Sequence, residues 1–503
     1  MARESKIPDE IKQYLPGKCT RAKLYGDTYR VVKYEAYKTP SGKWSSGHEK
    51  LIGKIIPGVG FCPNKYYMQL LAEQGKIPCS DKITDLSYGC YALLDTLADD
   101  IHKMLRACFT YEKSAQIYAF AMIIAANGFL HLDQINDYYQ ESFLCYMFRD
   151  YAFKMGYSAL SSLLTELGKK EEPVCEFEQN LIDSSSGKVA IDGHAIRSRS
   201  EENDLAEKGY KYSKLGAEQM NLLVAYDVVN KLPLAYRTFR GSKPDKSSVL
   251  DFLANRHFTN TKFVVDKGFY SAKVLSMMSK DGNTYIIPVQ SNNKHYQRIK
   301  KNLQYSSGEF IYRAGKKDSA RVEYYEEEVS PGKRIIVYRD IDENNSTRKS
   351  YKMCMAQGED GYTQERYNEL CEWWGVLVIE TNSKDSAQQI YEDYKGRWSV
   401  ETYFNYFKND AGFSGLKFQD YYAIKGFDFI MLIAGLIHSK LNAAVRELNM
   451  PDISTHDLLA KAGHLRLVLN GDNWLLQNTR TKDLELLAKV GFEPKVSYPA
   501  STK

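Results

Sequence analysis

Paired cysteines are missing from this chain. Its nine cysteines (19, 62, 79, 90, 108, 145, 175, 354 and 371) are scattered, with no CxxC pair and no zinc-like spacing. The odd count and the absence of a leader pattern predict a reducing, intracellular setting without a disulfide framework. Long apolar runs are missing too. The longest, Ile117–Phe129 and Phe427–Ile437, are too short or too interrupted to span a bilayer, so they read as buried helices and no membrane partner is expected. A strong charge of one sign is also absent. The formal net charge of +5 permits nucleic-acid binding without demanding it.

The charge present is uneven. Between Met1 and Lys54 twelve Lys or Arg, including Lys12, Lys18, Arg21, Lys23, Arg30 and Lys33, face six acids. A basic end of this kind either solubilises the chain or contacts phosphates. At 503 residues the chain can bury a large core and divides into several structural units. Residues 1–180 read as a basic, mostly helical DNA-end-binding region. Within it, extended stretches such as Tyr29–Tyr34 come first. Helical patterns follow over Lys65–Gln74, Gly89–Thr96, Asp99–Phe109, Ser114–Ala126, Gln134–Gln140 and Tyr151–Leu167. A polar, acidic link is expected at Lys169–Glu178.

Strand character begins at Lys188–Ile191 and returns at Met220–Tyr226, Leu232–Phe239 and Thr261–Val265. Helical patterns cover Lys246–Arg256 and Ser271–Ser279. The order β-β-β-α-β-α is that of a ribonuclease-H-like core, with a hairpin-connected trio and then a crossover. Its first part is assigned to 185–282. Tyrosine-rich extended runs at Tyr285–Val289, Glu309–Arg313, Arg321–Tyr325 and Arg334–Tyr338 predict a β-rich insertion over 283–372. The core resumes over 373–415 with the strand Trp374–Glu380 and a helix carrying Glu401. Residues 416–503 read as a helical C-terminal region, with helices over Ile424–Glu447 and Leu458–Leu469. The expected class is α/β: a ribonuclease-H-like catalytic core with a β-rich insertion, flanked by helical N- and C-terminal regions.

Three acids stand out by position. Asp192 follows a short apolar strand, Asp266 ends another, and Glu401 lies on the later helix. Carboxylates at the ends of adjacent central strands converge despite their separation in sequence, and Glu401 arrives from a helix packed beside that edge. Such oxygens suit two hard divalent ions, Mg²⁺ or Mn²⁺, around a scissile phosphate. At about 100° per helical residue, Tyr394, Arg397, Glu401 and Lys408 share one stripe, with Val400, Tyr403 and Phe407 opposite. That stripe fits phosphate gripping, or an ordinary Arg397–Glu401 surface ladder. His194, Lys267, Asn405 and Asn409 are weaker candidates for phosphate or water contacts, and structural roles suit each of them as well.

With these residues in view, the sequence resembles the DDE transposases of the insertion-sequence 4 family. The hallmark Y-x₂-R-x₃-E-x₆-K stands intact as Tyr394, Arg397, Glu401 and Lys408. Asp192 in Val189–His194 and Asp266 in Val264–Tyr270 look like the two catalytic aspartates. The resemblance covers roughly residues 185–445 and extends to the β-rich insertion. It implies Asp192, Asp266 and Glu401 as catalytic metal ligands for Mg²⁺, with Mn²⁺ as substitute. It implies Arg397 and Lys408 on phosphates near the cleaved end, with Tyr394 on the adjoining backbone. Related proteins hold a flipped base with an insertion-domain tryptophan. Trp373 and Trp374 sit at the return to the core, and Trp398 is expected to pack the helix.

The implied partners are double-stranded DNA with terminal inverted repeats, target DNA, and a second copy in a homodimer on paired ends. The implied location is cytoplasmic, associated with a prokaryotic nucleoid. The implied reaction is metal-dependent hydrolysis at element ends followed by strand transfer. A ribonuclease-H-like nuclease without joining, or a non-catalytic DNA-binding derivative, are the alternatives.

Overall fold

Alternation of apolar and charged residues builds a four-stranded antiparallel sheet near the N terminus, in the order β1 (Thr20–Tyr25), β2 (Thr28–Lys38), β3 (Trp44–Ile56), β4 (Gly60–Pro63). Val31, Ile52 and Ile55 are buried on one face beneath Ile11, Tyr14, Leu15 and Tyr67. The structure, a computed structural model, describes residues 7–26, 28–39, 41–57, 60–64, 66–67, 70–71, 84–128, 130–198, 203–209, 217–301, 304–313, 319–405, 419–477 and 479–500. Met1–Thr84 form one unit and Asp85–Lys503 a second. The helix expected at Lys65–Gln74 lies mostly outside the described residues.

The second unit has a mixed α/β architecture: a nine-stranded sheet with helices packed against it. Its first strand in sequence, β5 (Asp85–Ser87), belongs to a small separate sheet. The large sheet begins with β6 (Lys188–Arg197), β7 (Gln219–Asp227) and β8 (Leu232–Arg240), which pair antiparallel. Next come β9 (Lys262–Val265), parallel to β6, and β10 (Thr284–Pro288), parallel to β9. The tyrosine-rich runs become β11 (Gly308–Arg313), β12 (Ser319–Ser330) and β13 (Lys333–Asp340). Together with β14 (Val376–Thr381) they extend the same sheet antiparallel to β10, giving the order β11-β12-β13-β14-β10-β9-β6-β7-β8. Two helices unforeseen in the sequence, Ile341–Ala356 and Gln364–Leu370, connect β13 to β14.

Several helix boundaries differ from expectation for identifiable reasons. Gly89–Cys108 is broken at Ala98, whose backbone is not helical, so the two helices expected over Gly89–Thr96 and Asp99–Phe109 follow one another there with only a kink between them. The Lys169–Glu178 stretch is no link. Most of it opens the helix Glu171–Asp183, whose first-turn acids Glu171 and Glu172 suit a helix N-terminus and whose Phe177, Leu181 and Ile182 are buried. At the C-terminal end, helix Thr455–Gly463 stops early. Its successors β15 (Arg466–Asn470), β16 (Asn473–Gln477) and β17 (Ser497–Pro499) form the small sheet with β5.

The apolar run Phe427–Ile437 lies, as expected, in a buried helix, Tyr421–Glu447. Extended by flanking residues, it reaches the length and hydropathy of a membrane span, but 78% of its apolar window is buried inside the protein. It packs on β8 and on helices Tyr157–Lys169, Tyr111–Asn127 and Gly89–Cys108. Two glycines let it touch Tyr157–Lys169 backbone to backbone. A Cβ at Gly426 would lie 1.9 Å from the Leu164 carbonyl oxygen, and one at Gly168 would lie 1.9 Å from that of Tyr422.

Candidate active site

Strands β6 and β9 run parallel and in register, from Lys188 opposite Lys262 to Ile191 opposite Val265. The next residue on each chain is Asp192 or Asp266. Neighbouring strands lie about 4.8 Å apart, so both carboxylates leave the same edge at the same level. Beyond this level β6 continues along β7 only, as far as Arg197, so Asp192 sits inside a strand that has just lost its parallel neighbour. Asp266 caps a short 3₁₀ turn, Lys267–Phe269, and accepts from the Gly268 N–H at 3.4 Å. Asp192 accepts from the Gly193 N–H at 2.9 Å.

Glu401 reaches this edge through two consecutive helices. Ala387–Gly396 carries Tyr394, and Trp398–Asn405 carries Glu401, with Arg397 at the junction. Ser386 caps the first helix by accepting from the Gln389 N–H. Asp393, almost fully buried, then fixes it to the sheet, with Lys188 Nζ and Lys262 Nζ each 2.7 Å from its carboxylate. Those two lysines begin β6 and β9. The helix end is thereby held over the strand pair whose far ends carry the aspartates. On the inner side, Val400, Tyr403 and Phe404 are buried.

Arg397 joins the acids. Its Nη1 lies 2.9 Å from Asp192 Oδ2 and its Nη2 3.2 Å from Glu401 Oε1. Two contacts on one planar guanidinium keep those carboxylate oxygens within about 9 Å of each other. Burial raises the Asp192 carboxyl above its ordinary range. Arg397 and the Gly193 N–H oppose the shift, while the charges of Asp266 and Glu401 add to it. Burial works against the Arg397 charge, but Asp192, Tyr394, Asp266 and Glu401 together hold it firmly protonated. Burial also raises the Tyr394 phenol, against the pull of Arg397. Tyr394 lies under the guanidinium, 5.9 Å from ring centre to Cζ.

The structure thus brings together Asp192, Asp266, Tyr394, Arg397 and Glu401. Lys408, Phe407 and Asn409 lie outside the described residues, and for Asn405 only the backbone is described. His194 leans on Phe404 with ring centres 5.4 Å apart, and Lys267 is exposed. Trp398 does not pack the helix. It is 66% exposed beside a cavity of about 900 Å³ whose lining includes Lys231, Lys395, Arg397 and Arg446 and, among the described residues, no carboxylate. Trp373 and Trp374 are packed internally, against Tyr296 and against Tyr351 and Tyr367 respectively.

Among the described residues, no three His, Cys, Asp or Glu side chains stand close enough to grip a metal ion as placed. The guanidinium between Asp192 and Glu401 occupies the position from which both acids could share one. Among the described residues the acids gathered at this edge offer carboxylate oxygens, the donor type that hard divalent ions take, and burial first, then the charges of Asp266 and Glu401, destabilises Asp192 as an anion.

The family described as Transposase DDE domain matches residues 183–459, more than half of the chain. A cryo-EM structure of the piggyBac transposase synaptic complex with hairpin DNA is similar at a TM-score of 0.38 and 12% identity, covering 81% of this chain and 82% of that one. No curated protein matches. That match spans Asp192, Asp266 and Glu401, and the chain belongs to the transposase DDE domain family.

Proposed function

We propose that this protein is a DNA transposase of the insertion-sequence 4 type, built on a ribonuclease-H-like core comprising β8-β7-β6-β9-β10. It would hydrolyse phosphodiesters at element ends and then direct the freed 3′-hydroxyls onto the opposite strand or target DNA. The observation that carries this reading is the parallel, in-register pairing of β6 and β9, which ends with Asp192 beside Asp266.

Asp192, Asp266 and Glu401 would hold Mg²⁺, or Mn²⁺ in its place. When bound, that ion supplies Lewis-acid activation of the attacking oxygen and charge neutralisation at the phosphate. Arg397 answers the acid cluster in the DNA-free protein. Once the acids are otherwise neutralised, its fork suits two oxygens of a phosphate. Lys408 would add a second cation on the same DNA strand. Tyr394 presents a phenol that burial keeps protonated, which suits donation to a backbone oxygen. The cationic cavity beside Arg397 suits a polyanion leaving the acid cluster. Two ends must be cut in concert, which calls for a homodimer on paired DNA.

The test is incubation with Mg²⁺ and duplex DNA taken from immediately outside the coding frame. End-specific nicks followed by joined products are expected. Tyr394→Phe should keep activity within about tenfold of wild type, because only one neutral hydrogen bond is lost. Glu401→Ala should leave none. Equal losses in the two variants would make Tyr394 part of the chemistry, and nicks without joining would leave a nuclease.

A further inference from the structure

The N-terminal sheet carries a charge arrangement that sheet physics disfavours. Lys23 on β1 lies opposite Arg30 on β2, and Arg30 lies opposite Lys54 on β3. Three cations from three neighbouring strands therefore stand in one row on one face. Cross-strand partners sit about 5 Å apart at Cβ, where like charges destabilise a sheet. All three are exposed. Glu49 pairs with Arg21 and Lys23, and among the described residues neither Arg30 nor Lys54 has a carboxylate partner.

Aromatic rings reinforce this row. The Arg30 guanidinium lies 4.4 Å from the centre of the Tyr25 ring, which is 68% exposed, and Arg21 lies 5.1 Å from that of Tyr34. The opposite face is closed by the packing of Val31, Ile52 and Ile55 under Ile11 and Tyr14. Cations that serve only solubility can be spread out or paired with acids. Here only Lys23 of the three has an acid beside it, Glu49, and a row in register that leaves Arg30 and Lys54 without one among the described residues suits a ligand with a row of negative charges.

We propose that this face is a contact surface for the phosphate backbone of duplex DNA, with Lys23, Arg30 and Lys54 each neutralising phosphate and Tyr25 steadying Arg30. The proposal rests on the reading of the chain as one that handles DNA ends. Contacts of this type position the duplex without reading its sequence, and they release counterions, so binding must weaken steeply with salt.

The experiment uses the whole chain and a fluorescent duplex of about 30 bp of arbitrary sequence, titrated across roughly 50–200 mM KCl. Replacing Lys23, Arg30 and Lys54 together by Gln should reduce the slope of log affinity against log salt by about 2.7, at about 0.9 per phosphate contact. A control triple, Lys280→Gln with Lys482→Gln and Lys489→Gln, should leave the slope unchanged. Arg30→Glu separates function from folding. It places an acid between Lys23 and Lys54, so the protein should melt higher while binding duplex about tenfold more weakly.

Wild-type slope and affinity in the Gln triple would overturn the proposal. So would Arg30→Glu melting lower with unchanged binding, which marks a structural cation. A changed molar mass with an unchanged slope would instead make this face a contact between copies. If wild type binds no duplex, this proposal and the transposase reading fall together. If the slope shifts as expected but no ends are cut, the surface stands and the transposase reading falls.

Discussion

Replacing Asp192, Asp266 or Glu401 singly by its amide is expected to lower cleavage of DNA ends by about 10³-fold or more, with the fold intact. The stability of the Asp192 variant makes this result specific. The folded-state pKa of Asp192 is raised, by burial first and by the Asp266 and Glu401 charges in addition. Its contribution to stability is therefore fully present below the ordinary carboxylate range and is lost as pH rises through the raised value. Above that value the ionised group works against folding, so Asp192→Asn should there melt no lower than wild type while losing activity. Wild-type cleavage should rise with pH across the same window, because only the carboxylate can hold a cation. Thermal melts and end-cleavage rates measured on the same preparations check both halves. A variant that keeps cleavage, or one that loses it only by unfolding, contradicts the assignment.

Arg256→Met is expected to destabilise the protein by about 3–5 kcal/mol without touching the acid cluster. Arg256 and Glu178 form an ion pair at 2.7 Å, with side chains only 3% and 4% exposed. Arg256 also donates to the carbonyls of Tyr236 and Phe252, and Glu178 accepts from the Tyr236 N–H. Burial raises the Glu178 carboxyl even against Arg256. Removing the arginine leaves that carboxylate buried and unpaired, which costs more than the attraction itself. The double variant with Glu178→Gln should therefore recover part of the loss. Urea denaturation measures both. A double variant as unstable as the sum of its singles would show that the two residues act independently.

Much of the site is legible in the sequence because its geometry repeats. Lys188 stands four residues before Asp192, and Lys262 stands four residues before Asp266. Two parallel strands in register turn that shared spacing into a square, with lysines at one end and aspartates at the other. The helix signature was readable for the same reason, since i,i+4 spacing places Arg397 beside Glu401. Asp393 went unrecognised because its partners come from strands more than a hundred residues away. The repeated lysine spacing was the available signal.

Other elements were less legible because tertiary packing decided them. The stretch at Lys169–Glu178 looks like a polar link until Phe177 and Leu181 find the core. The helix read at Ile424–Glu447 does form, over Tyr421–Glu447, but its packing against β8 and the neighbouring helices, which organises the helical layer, was not readable from its own residues. Trp398 looked like a packing residue because aromatic residues usually bury. The narrow inner side of its helix is already filled by Val400, Tyr403 and Phe404. In the N-terminal unit, alternation was visible as short extended stretches. The like-charge row emerged only once the register of β1–β3 was known.

The most direct measurement is Mn²⁺ binding to the whole chain, followed by electron paramagnetic resonance in the absence of DNA. Wild type should bind the ion. The double variant Asp192→Asn with Asp266→Asn should lose that binding, and Glu401→Gln should weaken it, since these carboxylates supply the hard oxygen donors of the proposed site. Mn²⁺ bound equally well by wild type and by the double variant would contradict a shared cation site where the parallel pairing of β6 and β9 stops.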